Sequence, residues 1–163
     1  EPLIMDVQIF QYKELQLEEI RIILNDFLSF IANELSKPPR NFNLYVDHEV
    51  DFTMKNLDKF AEPDGRLLLV EVDGQIAGTI SLRKIRGDCG EIKRMYVRPK
   101  FRGKKLGNLM IEEVIRVSKE NGFPKLIWWI VRFFFRLTFA FTQSTTVMIK
   151  NSFCLGHNNL IVK

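Results

Sequence analysis

The sequence predicts an α/β fold in one domain, and three observations carry that reading. Apolar residues recur at helical spacing from Leu15 to Leu35. Two apolar runs flank Asp73-Gly74, a two-residue hairpin signal, because both residues of such a turn take positive φ. The stretch Gly90 to Asn108, GEIKRMYVRPKFRGKKLGN, reads as a strand, a short turn, a basic glycine loop and a helix start. With 163 residues, 46% of them apolar and 27% charged, the chain is long enough for one substantial core and has the composition of a soluble globular protein.

The elements follow in order. Val7–Phe10 is a first short strand. Leu17, Ile20, Leu24, Phe27, Leu28, Ile31 and Leu35 form one helical stripe, widened by Ile22, Ile23 and Phe30, and Lys37-Pro38-Pro39 stops it. Residues 40–47 read as loop. Val50–Phe60 reads as a shorter helix, ending before Pro63-Asp64-Gly65. Leu67–Val72 and Gln75–Leu82 are the hairpin strands, Gly87–Gly90 a turn, and Glu91–Val97 a further strand. Lys104–Asn121 is a helix with Leu106, Met110, Val114 and Val117 on its buried side, closed by Gly122-Phe123-Pro124. Lys125–Val131 reads as a buried strand. No internal repeat or linker interrupts the chain.

Charge is spread unevenly. The formal net charge is +4, yet every acidic residue lies at or before Glu120, so the first part carries −1 and the tail +5. A mild basic excess with no lysine-rich arm argues against a nucleic-acid partner. Leu126–Phe141 is apolar, but it holds Arg132 and Arg136 and is shorter than the roughly 20 residues a span needs, so no membrane crossing is expected. Cys89 and Cys154 fit no metal-ligand spacing and read as thiols of a reducing compartment. His48 and His157 have no metal-like partner, and no metal site is expected. The N-terminus lacks an apolar signal core, and a cytoplasmic location is expected.

The loop Arg102-Gly103-Lys104-Lys105-Leu106-Gly107 is where the sequence concentrates chemistry. Glycines let a ligand approach the backbone, and the helix that follows points its positive end at the loop. Three basic side chains add formal charge. The arrangement suits a pyrophosphate. A basic surface turn capping a helix has the same composition. The loop is neither a Walker P-loop nor a dinucleotide fingerprint, since no Gly-Lys-Ser/Thr follows and the glycine spacing differs.

In context the segment resembles the GNAT superfamily of acetyl-CoA-dependent N-acetyltransferases. The family signature is Arg/Gln-x-x-Gly-x-Gly/Ala after a strand and opening a helix. Arg102, Lys105 and Gly107 stand at its first, fourth and sixth positions, with lysine in place of the usual glycine at 105. LLLVEVDGQIAGTISL resembles the family's central hairpin, and EIKRMYVRPKFRG its fourth strand and pyrophosphate loop. The resemblance runs from about Leu67 to Gly122. It implies a mixed, mostly antiparallel sheet flanked by helices and splayed between strands 4 and 5. It further implies that Met95, Tyr96 and Val97 pair with the pantetheine arm. Pyrophosphate would sit on the amides of Arg102, Gly103, Lys104, Lys105, Leu106 and Gly107, with Asn108 in reach. Glu91 would be the general base on the fourth strand. Its plainer role is a solvent-facing strand residue paired with Lys93 or a neighbour.

The family's late motif, Ala-x-x-Leu-Tyr-x-Lys-x-Gly-Phe, is matched only in part. Lys150 and Phe153 keep register, while Met148 stands where a tyrosine general acid is expected and Ser152 where glycine is. Three histories fit the acid-free, aromatic tail: a divergent acceptor pocket or dimer surface built from Trp128, Trp129 and the phenylalanines, a shifted reading frame, or drift. Its apolar surface is expected to favour self-association, as a homodimer in the simplest case. The expected function is acetyl transfer from acetyl-CoA to a primary amine. The alternative on the same fold is a catalytically impaired CoA-binding or oligomeric module. The acceptor surface would come from the first two helices and the tail, where Asp47, Glu49 and Asp51 could attract a cationic amine.

Overall fold

The computed structural model describes residues 5–34, 42–123, 125–130, 147–151 and 160–162. Strand β1 (Val7–Gln11) passes through a 3-10 turn (Glu14–Gln16) into helix α1 (Leu17–Glu34), then α2 (Phe42–Lys55) and a second 3-10 turn (Leu57–Phe60). Three strands follow, β2 (Gly65–Val72), β3 (Gln75–Arg86) and β4 (Cys89–Val97). After the turn Pro99–Phe101 come α3 (Leu106–Glu120) and β5 (Lys125–Ile130), with β6 (Val147–Asn151) and β7 (Leu160–Val162) beyond.

The strands form one sheet in chain order. β1 to β4 run antiparallel, β5 lies parallel to β4 and β6 parallel to β5, and β7 returns antiparallel to β6. The β2 sequence is apolar on both sides of its alternation because the sheet is covered on both faces. Leu68 and Val70 face α3, packed with Ile80, Leu82, Ile92, Met110, Val114 and Trp128. Leu67 and Leu69 face α1 and α2, packed with Ile20, Ile23, Leu24, Val46, Val50 and Tyr96.

Several boundaries differ from the sequence reading: β3 runs on to Arg86 and α3 starts at Leu106, and two further cases bear on packing. Helix α2 starts at Phe42, inside the stretch read as loop, and ends at Lys55, with a separate 3-10 turn over Leu57–Phe60. From Tyr45 to Thr53 its buried stripe is Val46 and Val50 with Thr53, and Asp47-His48-Glu49 lie between. Gly90 belongs to β4 rather than to the turn, which narrows to Gly87-Asp88. A Cβ at Gly90 would meet the Phe123 ring at 2.7 Å, so this glycine serves close packing.

The feature that shapes the site is where β4 and β5 part. They pair only from Cys89 with Lys125 to Ile92 with Trp128. β5 then continues beside β6, pairing through Ile130 with Asn151. From Lys93 onward the outer edge of β4 has no β5 partner among the described residues, which is the splay the resemblance implies. β4 also bulges there. Thr79 pairs with Tyr96 and Ser81 with Lys93, so β4 spends one residue more than β3, and Arg94 takes φ +52°.

Candidate active site

The loop between β4 and α3 is held open by two left-handed residues, Gly103 at φ +78° and Lys105 at φ +60°. Arg102 donates its amide to Pro99 O at 3.2 Å, and Asn108 and Leu109 donate theirs to Lys105 O. Between them, the amides of Gly103, Lys104, Lys105, Leu106 and Gly107 find no acceptor among the described residues. A run of backbone donors at a helix start, with Lys104 and Lys105 within it, is the kind of cradle that suits an anion. The run begins at Gly103, one residue later than the sequence reading placed it.

Arg102 turns away from that cradle. Its Nε donates to Val97 O at 2.9 Å, and its guanidinium lies over the Phe30 ring at 4.4 Å and the Tyr96 ring at 5.7 Å. It pegs the loop to α1 and to the end of β4. Lys104 reaches back over Phe101, 5.6 Å from the ring. The Asn108 side chain is exposed on the first turn of α3.

The phase of the β3–β4 ladder sorts the three β4 residues. Arg98 donates to Ala77 O at 2.8 Å. Hydrogen-bonded pairs alternate in an antiparallel ladder, so the next exchanging pair is Thr79 with Tyr96. Tyr96 therefore spends its backbone on β3, and its ring sits against Phe27 and Phe30 in the core. Tyr96 is thus turned away from the open edge. By the same alternation the backbone groups of Met95 and Val97 face the edge away from β3, where Arg102 Nε already occupies Val97 O.

Glu91 lies on the α1–α2 face, at the last paired stretch before the gap, opposite Ile127. It is buried rather than solvent-facing. Arg83 Nη2 donates to its Oε2 at 2.7 Å, and Lys93 Nζ stands 4.0 Å from Oε1. Arg83 fixes the carboxylate and leaves Oε1 as the less engaged oxygen. Burial holds the Lys93 ammonium below its usual pKa, with Glu91 pulling the other way.

Sequence reasoning missed Arg94. Strict alternation would send it to the α3 face, but the bulge turns it toward α2. Its Nη2 donates to Thr53 Oγ1 at 2.9 Å and its guanidinium lies 4.6 Å from the Phe60 ring centre. Burial lowers its pKa to about 10, with Arg83 adding to the effect. Only the broken register marks this residue, and no sequence pattern does. Elsewhere the acidic trio divides: Asp51 pairs with Arg21 at 2.7 Å, Asp47 is exposed, and Glu49 is half-buried. Trp128 is in the core against α3, so it forms no part of an acceptor surface on the other face. Phe153, Ser152, His157, Cys154 and the aromatic run 131–141 lie outside the described residues.

The sequence profile of the acetyltransferase (GNAT) family matches residues 28–135. The chain belongs to the GNAT family. It is 33% identical over 115 residues to an uncharacterised N-acetyltransferase of Schizosaccharomyces pombe, covering 61% of this chain and 71% of that one. It is 30% identical over 73 residues to an IAA acetyltransferase of Azospirillum brasilense, covering 44% of this chain and 48% of the other. In fold it is similar to a GNAT-family acetyltransferase of Staphylococcus aureus, with TM-score 0.63, 18% identity, and 80% and 77% of the two chains covered. It is also similar to the PaiA N-acetyltransferase of Thermoplasma acidophilum, solved with coenzyme A, with TM-score 0.60, 16% identity, and 72% and 75% covered. As a GNAT protein the chain is an acyltransferase. Family coverage from 28 to 135 reaches well before the hairpin, back into α1. Among the described residues, no group of His, Cys, Asp and Glu could hold a metal, and no helix is long and apolar enough to cross a membrane.

Proposed function

We propose that this protein transfers the acetyl group of acetyl-CoA to a primary amine. The observation that carries the reading is the run of five amides, Gly103 to Gly107, without an acceptor among the described residues, next to an open β4 edge. Those amides, with Lys104 and Lys105, suit a pyrophosphate. The Met95 backbone and the Val97 amide suit an amide-containing arm laid along β4, while Val97 O is held by Arg102. The structure neighbour solved with coenzyme A supports the same donor.

In the reaction the amine nitrogen forms a bond to the acetyl carbon and the carbon–sulfur bond breaks, giving an N-acetyl amide and the CoA thiol. Glu91 Oε1 is the base, taking the amine proton directly or through water while Arg83 steadies Oε2. The outward amides of Met95 and Val97 meet the oxyanion. The thiolate is protonated from solvent, since Met148 stands where the family's late motif has its tyrosine.

Thiol release from acetyl-CoA, followed across a panel of amines, tests this. Amine-dependent release is expected, with Glu91→Gln lowering kcat by about 10²–10⁴-fold and leaving acetyl-CoA affinity in place. A folded protein that does not bind acetyl-CoA contradicts the donor, and full activity in Glu91→Gln removes Glu91 as base.

A further inference from the structure

We propose that the acceptor amine carries an anionic group, a carboxylate or a phosphate, and that Arg94 binds it. This rests on the acetyltransferase reading above and names the substrate class for the same site.

The face of the sheet beneath α2 gathers Arg83, Lys93 and Arg94 with Glu91 and Glu49, whose charges act on one another. Three cations face two carboxylates, which leaves one positive charge in excess. Glu91 is already committed to Arg83. Arg94 is held firmly: Thr53 Oγ1 accepts from Nη2 and itself donates to Glu49 O at 2.9 Å, while Phe60 covers one face of the guanidinium. What remains is Nη1 of Arg94, buried and without an acceptor among the described residues, as is Nε of Arg83. A buried guanidinium nitrogen left without an acceptor is costly, and proteins seldom leave one without a purpose.

The position fits an acceptor. Arg94 sits on the bulge where β5 has just left β4, on the face covered by the first two helices, which is the acceptor side in the resemblance. Glu91 stands three residues earlier on the same face. An amine whose far end is anionic can place that end on Arg94 and its nitrogen toward Glu91. The acids that might have drawn a polyamine are dispersed, since Asp51 is bound to Arg21. A planar guanidinium with a fixed orientation also selects for oxyanion geometry.

The experiment pairs acceptors that differ by one group: β-alanine against propylamine, and phosphoethanolamine against ethanolamine, with putrescine as the cationic case. Each is assayed with acetyl-CoA on wild type, Arg94→Gln and Arg94→Lys. The expected result is a kcat/KM at least tenfold higher for one anionic member over its neutral partner. Arg94→Gln should raise KM for that acceptor about 10- to 100-fold, with Arg94→Lys intermediate and the KM for acetyl-CoA unchanged. The preferred member tells carboxylate from phosphate. As a readout without turnover, N-acetyl-β-alanine or N-acetylphosphoethanolamine should raise the melting temperature of the CoA complex of wild type and not of Arg94→Lys or Arg94→Gln. Equal use of charged and neutral members, preference for putrescine, or a preference that survives Arg94→Gln overturns the proposal while leaving acetyl transfer intact. If no amine is turned over, failure of both N-acetyl products to stabilise the CoA complex overturns it as well. Failure to bind acetyl-CoA or CoA instead overturns the acetyltransferase reading on which it rests.

Discussion

Lys105 occupies the position where the family signature has glycine, and the backbone there is left-handed, φ +60° and ψ 14°. A residue with a Cβ spends about 1–2 kcal/mol in that conformation. Glycine avoids that penalty but loses about 0.5–1 kcal/mol more backbone freedom on folding. The lysine side chain makes no capping hydrogen bond at the start of α3, so little else is lost with it. Lys105→Gly should therefore stabilise the fold by about 0.5–1 kcal/mol, or raise Tm by about 1–4 °C for a chain of this size. Lys105→Ala keeps the strain and should remain within about 0.5 kcal/mol of wild type. Urea unfolding of the three proteins isolates the backbone term as the difference between the glycine and alanine variants. Both variants lose one cation beside the cradle, so both should bind acetyl-CoA a few-fold more weakly at low salt, with the gap closing at high salt. If the glycine variant is no more stable than the alanine variant, Lys105 is not left-handed and the cradle geometry is wrong.

Other consequences are direct. A Cβ at Gly78 would lie 2.6 Å from Tyr96 O in the β3–β4 ladder, so Gly78→Ala should cost about 2–3 kcal/mol in denaturant unfolding and weaken acetyl-CoA binding; a cost below about 0.5 kcal/mol contradicts the register. Arg102 acts through a planar contact with Phe30 and Tyr96, so Arg102→Lys should weaken acetyl-CoA binding nearly as much as Arg102→Ala despite its charge; full affinity in the lysine variant would show that charge alone matters. On the acid side, hydrogen bonds from Arg21, Lys125 and Arg116 hold Asp51, Asp88 and Glu113 below their ordinary values of 3.8, 3.8 and 4.5. These carboxylates bind fewer protons folded than unfolded, so their contribution is complete above those values and is lost as pH falls through the lowered ones. Melting temperature should fall from pH 5 to pH 3, and less steeply in an Arg21→Ala/Lys125→Ala/Arg116→Ala variant; an unchanged slope contradicts the pairs.

The sequence was most legible where local chemistry leaves one solution. Asp73 and Gly74 both have positive φ, as the hairpin demands, and Gly103 takes the left-handed backbone expected of a glycine loop. The fold's helices were visible through long stripes such as Ile20, Ile23 and Leu24. The start of α2 was not, because from Tyr45 to Thr53 its buried face offers Val46 and Val50, and charged residues between them mimic a loop. The site was legible as a place more than as a set of side chains. Glu91 and the loop were singled out from the motif, but a carboxylate read as a strand residue gives no sign of its burial against Arg83. Tyr96 and Arg102 were read as ligand contacts, and their packing against Phe27 and Phe30 left no mark in the order of residues. Arg94 could not be placed at all, since a bulge shifts the alternation by one and leaves no mark in the order of residues. The late motif shows the opposite limit: Met148 lies in β6, but residues 152–159 are not described.

Amide chemical shifts during a titration with CoA test the central claim most directly. The account predicts saturable shifts concentrated at Gly103, Lys104, Lys105, Leu106 and Gly107, with Met95 and Val97 following along β4 and Arg102 and Tyr96 moving less. Binding that leaves those loop amides unmoved, or no binding by the folded protein, would contradict it.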